Sequence, residues 1–304
     1  MVSSSVRSQI ITALHTVFPF AVRGDAILDD TDRTCDISCV INFYGRIHLL
    51  EGILYSLSSQ DIDRDRFEVI LVEDRGGTEQ GRDVVRRHGH ALNIKYVPLA
   101  YHYGIMGHSR NVGLAITKGR YILFLDDDTI ILQRTFLSVL LEEFARPGAD
   151  AIVPHGSASY CRVRGKYSYH DPYYPTNRCV AYSATALKEL GGFVSQIVGQ
   201  EDVEFVIRYI ASGRKFRYSD KLAYLHPPLI VGNLSKPAAV GSSFARLRKR
   251  YPLLVWFLLL LNGSRYLPLC LLPLTPKWRM QGKFSLGFVL GIAYALVGRR
   301  TGYE

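Results

Sequence analysis

Three adjacent carboxylates, Asp126-Asp127-Asp128, close the apolar run 120–125 (Arg-Tyr-Ile-Leu-Phe-Leu). Carboxylates on successive residues repel one another unless a cation sits among them. At the carboxyl end of a strand in an open α/β sheet, they lie where such sheets bind ligands. A hard divalent cation with oxygen ligands, bridging to a diphosphate, answers both conditions. The competing reading is an acidic turn capping the helix that begins near Gln133. A second pair, Glu73-Asp74, ends another apolar run and precedes Arg75-Gly76-Gly77. A carboxylate there can accept from a ribose hydroxyl or a base N–H. A third pair, Glu201-Asp202, opens a helical pattern after Gly191-Gly192-Phe193. Acidic residues in a first turn complement the helix dipole, but two together can also present a general base. His226 follows the apolar stretch 222–225 and precedes Pro227-Pro228. The residue before a proline is held extended, which can aim this imidazole at the same edge.

These residues need strands to carry them. Strands are expected over 36–43, 67–73, 93–97, 120–125 and 151–153, and helices over about 50–57, 78–88, 107–118 and 136–144. Gly119 stands where the helix over 107–118 would stop. The alternation implies an α/β fold with a mostly parallel sheet and right-handed crossovers. The rhythm breaks over 155–180, a polar segment rich in tyrosine, and a helix returns over 201–212.

The chain has 304 residues, of which 48% are apolar and 21% charged, so it can bury one large core or two modest ones. That composition excludes a disordered chain, a collagen-like repeat and a small disulfide scaffold. Five cysteines, at 35, 39, 161, 179 and 270, have no metal-finger spacing and read as reduced thiols. Lys and Arg number 37 against 27 Asp and Glu, a net charge of +10, which calls for an anionic partner.

The basic residues do not look like a nucleic-acid footprint. The cluster 246–250 (Arg-Leu-Arg-Lys-Arg) stands beside the apolar runs 251–261, 267–274 and 284–297, each short and broken by Pro, Gly or polar residues. Short apolar helices flanked by cations suit the headgroup region of an anionic membrane, which makes lipid the better anion. No uninterrupted apolar run of about 20 residues is present to cross a bilayer. The expected location is the cytoplasmic side of a membrane, peripheral or monotopic. Residues 8–22 superficially imitate a leader but read better as an amphipathic helix. Three parts are expected: an N-terminal amphipathic segment 1–33, a catalytic domain 34–235 and a C-terminal helical segment 236–304.

Taken in order, the motifs resemble the inverting family-2 nucleotide-sugar glycosyltransferases of the GT-A fold, over about residues 34–230. The run 39–46 (Cys-Val-Ile-Asn-Phe-Tyr-Gly-Arg) resembles the first-strand motif that holds the nucleotide, with Asn42-Phe43 where Pro-Thr is typical. Residues 67–74 resemble the second-strand motif, whose final Asp meets the base. Residues 107–115 resemble the helix that runs toward the metal motif, and Asp126-Asp127-Asp128 resembles Asp-x-Asp itself. Leu190-Gly191-Gly192-Phe193 with Gln200-Glu201-Asp202 resembles the acceptor-side motif that carries the base, and His226 the late metal-binding His.

The resemblance implies a metal site of Asp126, Asp128 and His226 for Mn²⁺ or Mg²⁺. It implies a donor site of Asn42, Tyr44, Arg46, Glu73, Asp74, Arg110, Asp126 and Asp127. Asp202, with Glu201 beside it, would take the proton from an acceptor hydroxyl. Gly191, Gly192, Phe193 and Tyr169 would lie on the acceptor side, the tyrosine-rich loop stacking on sugar faces. The implied reaction moves a sugar from a nucleotide-diphosphate donor to a glycan or lipid-linked acceptor, with inversion. A nucleotidylyltransferase would show a Gly-rich loop and a Lys directly after the first strand, and 42–46 lacks both. A basic membrane- or nucleic-acid-binding protein without catalysis is the other alternative.

Overall fold

The computed structural model describes residues 6–28, 32–159, 166–168, 176–227, 231–271, 276–299 and 301. Helix α1 (Val6–Val17) precedes β1 (Cys35–Phe43), α2 (Ile47–Ser58), β2 (Phe67–Glu73), α3 (Glu79–His88), β3 (Ile94–Pro98), α4 (Met106–Ala115) and β4 (Gly119–Asp126). Then come β5 (Ile130–Ile131), α5 (Phe136–Ala145), β6 (Ala151–Ser159), β7 (Lys166–Ser168), β8 (Cys179–Ser183), α6 (Ala184–Glu189), α7 (Glu201–Ala211) and β9 (Phe216–His226). The last helices are α8 (Ser235–Arg246), α9 (Leu253–Ser264) and α10 (Pro276–Leu296).

The strands form one sheet in the order β3-β2-β1-β4-β8-β6-β9-β5, with β7 paired to β6. Strands β3, β2, β1 and β4 are parallel, as the alternating pattern requires. Beyond them the sheet is mixed, which corrects the expectation of a mostly parallel one. The short segment β8 (Cys-Val-Ala-Tyr-Ser) enters between β4 and β6 and runs antiparallel to both. Strand β9 then pairs parallel with β6, and β5 antiparallel with β9. Gly119 is not a helix stop. It begins β4, where an ideal Cβ would stand 2.3 Å from Ser38 N, so the close strand approach requires glycine.

Alternation along each strand feeds two cores, one on each face. Cys39 and Ile41 of β1 join Leu50, Ile53 and Leu57 of α2 and Phe136 and Leu140 of α5. Val40 faces the other way, with Leu114 of α4, Phe193, and Val206 and Tyr209 of α7. The same second core takes in Ile11 of α1, Phe244 of α8, Val255 and Leu259 of α9 and Phe288 of α10. Both terminal segments therefore share the sheet's core.

Helices α8 and α10 cross through glycine. An ideal Cβ on Gly291 would lie 1.8 Å from Ala238 O, and one on Gly241 2.0 Å from Phe288 O. The N-terminal segment is stitched to the loop after α6, with Gly24 N donating to Leu190 O (2.6 Å) and Ala26 N to Gly191 O (2.8 Å). By length and composition alone, the helical stretch Leu253–Leu271 could cross a membrane, which the broken pattern in the sequence did not suggest.

Candidate active site

Parallel pairing aligns the strand ends. Asn42 of β1 registers with Asp126 of β4, and Phe43 of β1 with Glu73 of β2. The carboxyl ends of β1, β2 and β4 thus deliver the residues singled out above to one edge. Strand β9 ends there too, because β9 carries His226. His226 Nε2 lies 2.9 Å from Asp128 Oδ1 and 3.3 Å from Asp126 Oδ2. One ligand atom from each of Asp126, Asp128 and His226 falls within 4.8 Å of the others. Two carboxylates and an imidazole fit Mn²⁺ or Mg²⁺ in chemical type. Burial would raise the pKa of Asp126, but the His226 hydrogen bond and the Arg110 charge outweigh it and hold the carboxyl well below the usual range. The group is therefore ionised, as a ligand must be. Burial pushes Asp127 up to about 7 against the pull of Arg46, with Asp128 and Asp126 adding to the rise.

Arg46 reaches across this cluster. Its guanidinium donates to Asp127 and, at 2.6 Å, to Asp128 Oδ2. Arg110 is fully buried and bridges Asp126 Oδ1 (2.7 Å) and Glu201 Oε1 (3.3 Å). It links the metal motif to the start of α7 rather than opening onto the donor.

Beside the carboxylates lies a cavity of about 340 Å³, lined by Asn42, Tyr44, Arg46, Asp74, Ser109, Asp126, Asp127 and Lys236 among others. That volume is within the range of small-molecule sites. Asn42 donates from Nδ2 to Ser109 Oγ (2.5 Å), yet its Oδ1 is buried with no partner among the described residues. Asp74 accepts from Gly104 N (2.9 Å) through Oδ2, and its Oδ1 is likewise buried without a partner. Buried acceptors are nearly always satisfied, so two orphans on one cavity call for a ligand's N–H or O–H groups. Tyr44 stands at the rim under the Arg75 guanidinium, 5.4 Å from its ring centre.

Glu73 does not face this cavity, which corrects its assignment to the donor site. It is fully buried and accepts from Thr78 N (2.9 Å), Thr78 Oγ1 (2.5 Å) and Tyr96 OH. Its bonds fix the turn before α3 and tie it to β3.

The acidic pair at α7 divides its roles. Glu201 is buried against Arg110 and also accepts from Asn177 Nδ2 (3.2 Å). Asp202 is half-buried and accepts from Asn177 N (3.2 Å) and Val203 N (2.8 Å). Burial and the neighbouring Glu201 charge push Asp202 up to about 7, while Arg178 opposes the rise. A carboxyl poised near neutrality suits proton transfer, and one locked in an ion pair does not. The geometry therefore separates Asp202 from Glu201, whose carboxylate is tied to Arg110.

The acceptor-side assignments need correction too. Phe193 is fully buried, edge-on to Phe124 (5.2 Å between ring centres) in the core. Gly191 and Gly192 take φ of +63° and +56° and pack on the N-terminal segment, an ideal Cβ on Gly191 falling 3.1 Å from Gly24 N. They shape the approach to α7 and touch no open surface. Tyr169 lies outside the described residues.

Sequence reasoning missed Ser109, Asn177, Arg178 and Lys236. Asn177 and Arg178 immediately precede β8, and recognising that apolar segment as a strand would have set them on the binding edge. Lys236 carries no local signal.

Residues 38–216 match the description "Glycosyl transferase family 2". The chain belongs to that family. It is 33% identical over 98 residues to poly(ribitol-phosphate) beta-N-acetylglucosaminyltransferase TarS of Staphylococcus aureus (strain Mu50 / ATCC 700699), covering 32% of this chain and 17% of that protein. It is 36% identical over 107 residues to validoxylamine A glucosyltransferase of Streptomyces hygroscopicus subsp. jinggangensis (strain 5008), covering 34% of this chain and 24% of that one. The chain thus spans under a quarter of the length of these curated relatives. Among solved structures, mannosyltransferase PcManGT from Pyrobaculum calidifontis in complex with GDP-Man and Mn²⁺ superposes with a TM-score of 0.58 at 16% identity, covering 97% of this chain and 99% of that one. TarS 1-349 of S. aureus in complex with UDP-GlcNAc gives 0.55 at 19% identity, covering 84% and 81%. At such identities the likeness is one of fold, and that fold is the GT-A fold. His226 and Lys236 lie beyond the family-matched residues.

Proposed function

We propose that the chain transfers a sugar from a nucleoside-diphosphate donor to a hydroxyl of a glycan or lipid-linked acceptor, inverting the anomeric carbon. The observation that carries this reading is the joining, on one edge, of Asp126, Asp128 and His226 to a cavity with orphaned acceptors on Asn42 and Asp74 and to a separately held Asp202. Asp126, Asp128 and His226 would hold Mn²⁺ or Mg²⁺, and such an ion supplies charge neutralisation to a diphosphate leaving group. Asn42 and Asp74 accept from the nucleoside. Asp202 accepts the proton of the acceptor hydroxyl as that oxygen bonds to the anomeric carbon. The bond from that carbon to the diphosphate breaks on the opposite face, so one displacement inverts the centre. Arg110 keeps α7 and the metal motif in register through Glu201 and Asp126.

The reading includes an anionic membrane surface, with the chain on its cytoplasmic side. Leu253 and Phe257 of α9 are 59% and 57% exposed, and Val6 and Ile10 of α1 are 72% and 52% exposed. A cavity of about 330 Å³ lies between these helices, with Arg7 and Arg265 among its lining residues. Apolar side chains beside arginines suit a helix pair lying in the headgroup layer.

The test is a panel of nucleotide sugars with Mn²⁺ or Mg²⁺ and detergent-solubilised lipid acceptors. One donor is turned over, EDTA abolishes the reaction, and Asp128→Asn loses donor affinity and turnover together. Full activity of Asp128→Asn in EDTA overturns the metal reading.

A further inference from the structure

We infer that Lys236 is a diphosphate-binding residue, so that the C-terminal helices form one wall of the donor site. The inference rests on the donor reading above and adds to it a residue outside the family-matched span 38–216.

Lys236 is the second residue of α8 and lines the same cavity as Asn42, Asp74 and Asp126. Among the described residues it makes no ion pair and no hydrogen bond, although Asp74, Asp126 and Asp127 line that cavity with it. Asp126 is held by Arg110 and Asp127 by Arg46, while Asp74 accepts from Gly104 N through one oxygen only. Lys236 is therefore, among the described residues, an uncommitted cation on the wall of a pocket where Asp126 and Asp127 already have cationic partners. A nucleoside diphosphate leaving a sugar carries more negative charge than one divalent ion cancels, and a lysine ammonium is a compact point charge suited to the remainder.

The placement of Lys236 is built into the fold. The backbone of α8 meets that of α10 directly at Gly241 and Gly291, and Pro237 packs where an ideal Cβ on Gly287 would lie, 2.5 Å from Pro237 Cβ. Val240 and Phe244, one and two turns on, are buried in the core shared with α7. The start of α8 is thereby fixed, and with it the reach of the lysine.

The experiment is calorimetric titration of the full chain with UDP and with GDP, each in the presence of Mn²⁺, with uridine and guanosine as the matching nucleosides. Lys236→Gln weakens binding of the diphosphate that the wild type prefers by about tenfold or more, leaves nucleoside binding and Tm unchanged, and Lys236→Arg restores most of the loss. Lys236 is exposed, so its replacement spares the fold. Wild-type diphosphate affinity in Lys236→Gln overturns the inference and leaves the donor reading standing. A wild-type chain that binds neither UDP nor GDP overturns the donor reading, and this inference with it.

Discussion

At the scale of residues, the division between Glu201 and Asp202 decides how the site responds to pH. Asp202 is raised from its ordinary value to about 7 by burial and by Glu201. A general base acts in its ionised form, so kcat/KM rises with pH through about 7 to a plateau. In Asp202→Asn the single amide oxygen keeps one of the two backbone hydrogen bonds, and the side chain accepts no proton. Turnover falls about a hundredfold or more, the rising limb disappears, and donor affinity stays. Linkage gives a second sign. A carboxyl whose pKa is raised by folding stabilises the chain fully only below its unfolded value near 3.8, and that contribution is lost as pH climbs through about 7. The Tm of Asp202→Asn relative to wild type is therefore higher at pH 8 than at pH 3. Glu201→Gln behaves differently: it removes a counter-charge from buried Arg110, lowers Tm and keeps a rising pH limb that moves to lower pH, because the Glu201 charge no longer raises Asp202. Much of the site was legible at this scale because Asp74, Asp126 and Asp128 close the largely apolar strands β2 and β4. The roles of Glu73 and Glu201 were not, because their partners, Tyr96 and Arg110, are brought to them only by the folded sheet.

At the scale of elements, local pattern gave the parallel half of the sheet and failed at its centre. Strands β1, β2 and β4 are long, apolar and bounded by polar turns, and their ends were read to within a residue or so. Strand β8 has five residues and a tyrosine-rich segment before it, and what makes it a strand is β4 on one side and β6 on the other. Gly119 shows the same limit: its spacing fits a helix stop, while its cause is the Ser38 backbone across the sheet. The crossing of α8 and α10 is an element-level contact that hydropathy does not encode, since glycine enters it by being small. Gly291→Val places a branched side chain where an ideal Cβ already stands 1.8 Å from Ala238 O. The helices separate, Tm falls by several degrees, and diphosphate affinity falls in the folded fraction because Lys236 moves with α8. Gly298→Val, at a positive φ in open space after α10, strains only its own turn and leaves diphosphate affinity intact.

At the scale of the whole molecule, charge and exposed apolar surface point the same way. The net charge of +10 is accompanied by an apolar face on α1 and α9 with Arg7 and Arg265 beside it. The full chain sediments with vesicles rich in anionic lipid, salt releases part of it and detergent all of it. The double variant Leu254→Ser, Phe257→Ser remains in the supernatant with its metal-dependent donor affinity unchanged, because both side chains are exposed and distant in sequence from every site residue. Recovery of the wild-type chain in the supernatant at low salt removes the lipid surface from the reading.

Helix α7 carries Asp202 in its first turn and Ile207 five residues on, and Ile207 lines the apolar cavity between α1 and α9. At about 1.5 Å per residue, that is a rise of about 8 Å along one rigid rod. On a bilayer the rod becomes a ruler. With the chain docked as proposed, the height of Asp202 above the lipid would follow from helix length rather than from a hinge, and only hydroxyls presented within that height would come under it. A lipid-linked acceptor would then be read by stature as well as by identity: its sugars nearest the headgroup are in range, and each residue added beneath the target carries the hydroxyl out of it.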